Sequence, residues 1–509
     1  MSPVAALRAS AVPAAALAAA LAATPAQAQL AAEDVWQAWQ SYAAVGGSTM
    51  QAGTVSRDGA TLTASKVRIE SESDEIVASI VLDSVAFTEQ ADGTVSVAMP
   101  DSYDMRLAGD QGQLMVLNIR QPGFRLLVSE GENGLSHTLT APEVTASVTE
   151  FVAPGGGPDV MNVRMTALGV AGNYDIPLAP GGPSSTDFSV GALNAGVEVR
   201  DASGEFVTFD YAATGLVLGF VGAGMDQVSR LEDGDLASAL DEGLALAISF
   251  GYDTLRYAFD MDADGNQATG GGTAMTGQTR FVLNADEVSF NSGSRNGEFT
   301  FAGSELPMPQ MTLKAAELGY GFSLPTKGAP TPQPAELLLR LVDLVLPEDV
   351  WAMADPAGRI PRGPASLVLD LGAQLVLPAD LFGMETMFGY MMGGPLEAAQ
   401  PTALDIRSLE VRAGGAELIG DGGFTFDPSD TQTFPGIPRP AGVLNLVLRG
   451  GTQLLDTLVA MGMIPEDQAQ GARMMMALFA RPGDGPDELI SKLELREDGS
   501  IFANDMRIQ

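Results

Sequence analysis

The chain has 509 residues, 46% of them hydrophobic but only 6% aromatic, with no cysteine and a formal net charge of −37. That length allows two to four domains or one long repetitive unit, with a core of Leu, Val, Ala and Met. Without cysteine there is no disulfide, no thiol catalysis and no thiolate metal site, and so acidic a surface repels nucleic acid and anionic headgroups.

The first 28 residues predict a cleavable secretory signal. Arg8 precedes a small apolar stretch, Ala11 to Ala23, and Ala26-Gln27-Ala28 is a small-x-small cleavage site. The stretch is shorter than the roughly 20 residues a membrane span needs. The expected mature chain starts at Gln29, lies in the periplasm and has no transmembrane segment. We expect two regions in it: a helix plus β-meander over 29–330 and a strand-plus-helix region over 331–509.

Residues Ala32 to Ala44 read as a short helix, with Glu33 and Asp34 in its first turn and Trp36 and Trp39 on one face. Docking of those tryptophans on a sheet is the expected use. From Thr61 to Phe151, and again over 160–176, 186–220 and 244–301, residues alternate with period two between Gly, Asn and Asp turns. That pattern predicts an antiparallel meander with one face on a core. The apolar run Tyr211 to Met225 reads as a strand buried on both faces.

The Pro-rich patch Ser323 to Pro334 reads as a boundary. After it, Leu338, Leu341, Val342 and Val345 predict a helix. Met384, Met387 and Met391 fall at helical spacing further on. Near the C-terminus, Gly451 to Gly485 predicts a helical hairpin with Leu454, Leu455, Leu458 and Val459 on one stripe and Met474, Met475, Leu478 and Phe479 on the other. Pro347 and Pro465 are expected at first helical positions, each followed by Glu-Asp. The shared Pro-Glu-Asp hints at a duplicated strand-plus-helix unit. The fold expected is mainly β: a long antiparallel meander, open and curved or groove-like, with a few helices packed on it.

The reactive residues are sparse. His137 is the only histidine, its neighbour Ser136 points to the opposite face of a strand, and no Gly-x-Ser-x-Gly elbow occurs. We read His137 as an exposed strand histidine. Asp260, Asp262 and Asp264 with Gly265 match the first half of a calcium loop, but the twelfth position is Gly271 rather than Glu. An acidic hairpin turn is the better reading. Methionine clusters could serve copper(I), but they also fill apolar cores and binding surfaces. No catalytic residue, metal site or cofactor is expected.

Several phrases carry a resemblance: "MADPAGRIPRGPASLVLDLGAQLVL", "GDGGFTFDPSD", and "PAGVLNLVLRGGTQLLDTLVAMGMIPEDQAQGARMMMALFA". With "AEDVWQAW" and the leader, they resemble a family of secreted alphaproteobacterial proteins known as domain of unknown function 2125. The resemblance implies no catalytic residues. The strand-Gly-strand phrasing also resembles large envelope proteins that form β-grooves for lipid. The expected role is therefore non-enzymatic binding or carriage of an apolar envelope ligand such as lipid, with contacts from Met384, Met387, Met391, Leu455, Val459, Met474, Met475 and Leu478. The alternative is an envelope scaffold or protein-interaction module. The helical hairpin either plugs the end of a core or forms a lid over an apolar groove.

Overall fold

A computed structural model of the chain describes residues 30–45, 47–73, 76–153, 160–179, 181–201, 203–227, 230, 235–263, 265–304, 306, 308–383, 399–434 and 438–509. The expected leader, Met384, Met387, Met391 and Asp264 lie outside them. Among the described residues no helix is long and apolar enough to cross a membrane.

Among the described residues, helix α1 (Ala32–Val45) precedes one antiparallel sheet of 25 strands. Edge strands β1 (Ser48–Gln51) and β2 (Thr54–Asp58) both pair with β3 (Thr61–Glu72), which pairs with β4 (Ile76–Glu89). Strands β5 (Val95–Ala98) and β6 (Ser102–Gly109) run end to end along β4. Likewise β7 (Leu114–Arg120) and β8 (Arg125–Glu130) run end to end along β9 (Gly134–Val152). Each pair is therefore one long strand broken at a proline, Pro100 or Pro122, which has no N–H for the ladder.

An up-and-down meander follows, each strand pairing with the next: β10 (Val160–Pro177), β11 (Ser184–Arg200), β12 (Phe206–Ala223), β13 (Ala245–Ala263), β14 (Asn266–Leu283), β15 (Glu287–Gly303), β16 (Met311–Pro325), β17 (Ala329–Leu344), β18 (Ala365–Leu377), β19 (Gln400–Ala413), β20 (Ala416–Asp427) and β21 (Arg439–Arg449). Short strands blunt the far edge. These are β22 (Arg481–Pro482), β23 (Glu488–Leu495), which pairs with β21, β24 (Ile501–Ala503) and β25 (Met506–Arg507). Several turns are tied by Asp side chains: Asp92, Asp201, Asp427 and Asp498 each accept the backbone N–H two residues on.

The described helices after α1 sit in connections. They are α2 (Leu236–Asp241), α3 (Glu348–Ala354), α4 (Gly451–Ala460) and α5 (Glu466–Phe479). The hairpin α4–α5 forms as its periodicity predicts. Pro347 and Pro465 cap α3 and α5 from one residue outside, with extended backbone, instead of opening the first turn. The Pro-Glu-Asp echo opens a helix both times, but a strand precedes it in one case and a helix in the other.

Two further expectations, both about strands, are overturned. Residues Leu337 to Leu344 form strand β17, not a helix, because β16 and β18 take its backbone groups on both sides. Its leucines occupy both parities, so the run satisfies a strand and a helix alike. The Pro-rich patch lies in the β16–β17 hairpin and in β17 itself. Pairing with β16 ends at Ser323–Glu336, just before Pro334, the last of three prolines at alternate positions. The segment Tyr211 to Met225 is not buried on both faces: Ala213 and Leu216 are buried, but Val217 and Val221 are 53% and 57% exposed.

Candidate apolar trough

A single line of irregular residues crosses the sheet. Following the ladders from strand to strand, it runs through Gly53, Lys66, Asp83, the Pro100 break, the Gln121–Gly123 break, Pro142, Gly169, Gly191, Gly215, Asp253, Thr276, Asn296, Ala316, Asp343 and Ser366. Lys66, Gly169, Gly215, Thr276, Asn296 and Asp343 have φ between +49° and +62°. A left-handed residue inside a strand kinks it and breaks the side-chain alternation. Gly215 suits this position because a Cβ there would stand 2.1 Å from Asp253 Oδ2.

The alternation does slip at this crease. In β3, Leu62, Ala64 and Val67 are buried; in β4, Leu82, Val85 and Phe87 are. In β12, Phe209, Tyr211 and Ala213 continue across the crease as Leu216, Leu218 and Phe220. Residues of opposite sequence parity thus face the same side on the two limbs of each strand that the line crosses away from its ends. The result is a creased sheet with one inner face.

That inner face is apolar on both limbs. One carries Val197, Phe209, Tyr257, Phe259 and Phe301, whose rings lie near the glycines of β14: Gly270 and Gly272 leave no room for a Cβ beside Phe259 and Tyr257. Phe209 stacks on Tyr257 with centroids 6.4 Å apart, and Phe259 meets Phe301 at 6.2 Å. The other limb carries Ile248, Phe250, Phe290, Tyr320, Phe322, Leu337 and Leu339, with Phe290 and Tyr320 5.3 Å apart. Many of these are open to solvent; Tyr320 is 56% exposed.

On the limb that carries Tyr320, the outer face is charged. Arg340 pairs with Glu317 at 3.1 Å, Arg407 with Glu336 and Asp370 at 3.1 and 2.8 Å, and Arg449 with Glu417 and Glu488 at 2.9 Å. Such half-exposed pairs add little stability. Their effect is to keep that face wetted while the inner face stays apolar.

At the N-terminal end the trough is filled. Residues from both limbs of β3 and β4 join β5, β8 and β9 in one cluster around Val35, Trp36 and Ala38 of α1. Trp36 and Trp39 both meet Phe87 edge-on, at 5.9 and 5.2 Å. The docked helix is what its tryptophans predict. Arg57 ties it down through Glu33 and Glu89, and Glu89 Oε1 accepts from the Ala32 N–H at 3.0 Å.

His137 is part of this packing, contrary to the expectation that it is exposed. It is 0% exposed, stacks on Tyr174 at 4.4 Å, and its Nε2 accepts from the Trp39 indole N–H at 2.9 Å. Its Nδ1 lies 3.2 Å from the Leu135 carbonyl, so the neutral ring satisfies both nitrogens. Burial pushes its pKa down to about 4. The inward-facing parity that includes Leu135 and Leu139 was the signal for burial.

Beyond α1 lies a cavity of about 1350 Å³, between Leu30, Asp34, Ala38 and Tyr42 of the helix side and Leu135, Leu178, Phe220 and Met225 of the strands and turns. Phe220, on the inner face of β12, is part of its lining. A smaller cluster of Ala239, Leu240 and Leu244 with Leu283 and Val288 closes part of the same rim.

The other predicted contacts stand apart. Leu455 and Val459 are half-buried on α4, and the hairpin lies across the C-terminal end of the sheet, where the Phe479 carbonyl accepts from inward-facing Ser491 at 2.6 Å. Met474, Met475 and Leu478 are exposed on α5, Met474 by 68%, so they do not fill a core. Asp260 and Asp262 sit on β13 beside a hairpin turn at Gly265, and Asp262 accepts from Gln267 Nε2. Among the described residues no group of three or more His, Asp or Glu side chains is placed to hold a metal ion.

A family model described as an uncharacterised protein conserved in bacteria, DUF2125, matches residues 237–507, just over half the chain. The chain belongs to this family. The match covers most of the open part of the trough, from α2 to β25, and leaves out α1 and the filled end. No curated protein matches the chain.

Proposed function

We propose that this DUF2125 member is a non-catalytic periplasmic protein that holds the acyl chains of an amphiphile in its creased sheet. The observation that carries the reading is the apolar inner face from β10 to β21, much of which no described residue covers. Twelve strands at about 4.8 Å each make it about 50 Å long. An exposed apolar surface on this scale marks a binding site. Covering it with acyl chain returns about 0.8 kcal/mol per buried methylene. Tyr257, Phe259, Tyr320 and Phe322 supply the walls. Mass spectrometry of an organic extract, from protein purified out of periplasm without detergent, tests this. Acyl lipid at one or more equivalents supports the proposal; an empty extract from folded protein overturns it.

The exposed stripe of Met474, Met475 and Leu478 favours a second reading, an envelope scaffold that docks a protein on α5. Capture of one fixed protein partner, lost on Met474→Asp, with no co-purifying lipid, would favour that reading instead.

A further inference from the structure

We propose that the floor of the trough on β13 to β16 receives an uncharged, oxygen-bearing group of the amphiphile, so that the ligand is a neutral acyl ester or acyl alcohol of the acylglycerol kind. This rests on the acyl-chain reading above and names the class of amphiphile.

Among the described residues, the inner-facing positions of β12 to β16 carry no charged side chain. Charge on these strands takes the outer positions, as with Asp210, Arg256, Glu298 and Lys314. The inner positions do carry hydroxyls, gathered near the crease. On the limb that carries Tyr320, Thr279, Ser292 and Tyr320 are cross-strand neighbours on three consecutive strands. Thr279 Oγ1 and Ser292 Oγ lie 2.9 Å apart. One row nearer the crease, the Tyr252 ring lies over Gly277, where a Cβ would stand 2.1 Å from it, and its hydroxyl faces Ser294. Followed onward, the row of Tyr320 becomes Leu339, Leu369, Leu409, Gly420 and Leu446 on β17 to β21. The hydroxyls thus occupy one stretch of a row that is otherwise apolar.

An acyl chain laid over Thr279, Ser292 and Tyr320 would take their hydroxyls out of water and offer them no partner. The Thr279–Ser292 bond uses one of the pair's two protons, so the other is left to donate to a ligand. An ester carbonyl or a hydroxyl oxygen accepts it without bringing a charge. An ionised head would be desolvated there with no countercharge on the same face. The acyl chain then runs from the hydroxyls over the leucine row toward β21.

The test uses the full mature chain and three probes kept below their aggregation concentrations: monopalmitin, palmitate, and diphenylhexatriene, a fluorescent hydrocarbon without oxygen. Thr279→Val with Ser292→Ala removes the inner hydroxyl pair and leaves neither partner stranded. It should weaken monopalmitin about fivefold, the scale of one neutral hydrogen bond, and leave diphenylhexatriene unchanged. Tyr320→Phe, which removes only an exposed hydroxyl and so spares the fold, should weaken monopalmitin about threefold. Thr300→Val with Thr312→Val removes a hydroxyl pair from the outer face and should move neither probe. Equal losses from the inner and outer pairs, equal losses of monopalmitin and diphenylhexatriene, tighter binding of palmitate than of monopalmitin, or binding of diphenylhexatriene without monopalmitin would each overturn the assignment while leaving the trough in place. If neither monopalmitin nor diphenylhexatriene binds the unaltered chain, the acyl-chain reading fails and this one with it.

Discussion

The two ends of the creased sheet share one construction and differ in what occupies it. Around β3 to β9 the inner face closes on α1: Phe87, Val67, Val85 and Val128 are fully buried. From β10 onward the same face carries aromatics and leucines that stay in solvent. A strand alternates for the same physical reason in both places. What differs is whether a described segment of the chain lies on the apolar side. The filled end is a core; the open end is the face we propose as a site.

The contrast can be broken by substitution. Phe87→Ala should cost about 4 kcal/mol, since it leaves a cavity under two tryptophans, whereas Leu337→Ala on the open limb should cost under about 1 kcal/mol. Urea unfolding followed by tryptophan fluorescence reports the first, and circular dichroism the second. Equal losses at both sites would mean the open limb is packed after all.

His137 gives the filled end its own pH dependence. Its pKa of about 4 in the folded chain lies below the ordinary 6.5, so the unfolded state takes up the proton first. Stability is complete above pH 6.5 and falls toward pH 4, by about 3 kcal/mol in all. Protonation at Nε2 would also cost the Trp39 hydrogen bond. In His137→Gln the urea midpoint should lose most of this slope between pH 6.5 and 4; an unchanged slope would assign it to carboxylates.

The crease should be sensitive to side chains at its left-handed positions. Gly215→Ala should destabilise by about 1–2 kcal/mol, because φ of +61° and Asp253 both oppose a Cβ. Gly191→Ala, without a positive φ, should cost less, and thermal melts of the pair give the difference. The smallest effect belongs to the outer face, where Arg449→Ala should change stability by at most about 0.5 kcal/mol and less at high salt.

Much of this was legible in the sequence, and the failures share a cause. Period-two segments, Asp-Gly turns, α1 and the α4–α5 hairpin all follow from local chemistry. The crease does not, although its trace is present: in "FVTFDYAATGLVLGF" the apolar positions shift from odd to even at Gly215. Read without that slip, both parities look apolar, which is why Tyr211 to Met225 reads as doubly buried. The β17 leucines mislead similarly, because only the neighbouring strands decide between helix and strand. His137 and the α1 cavity depend on contacts across about 100 residues, and Trp39 shows no local sign of its partner.

The most direct test of the trough places a photo-crosslinking benzophenone residue at Phe209 and at Phe322, one on each limb and both facing inward, and at Val217 and Arg340, which face outward. Illumination in cells followed by lipid mass spectrometry reads the result. Acyl adducts at Phe209 and Phe322 but not at Val217 or Arg340 are what a creased sheet with one apolar inner face predicts. Adducts at all four positions, or at outward positions alone, would contradict it.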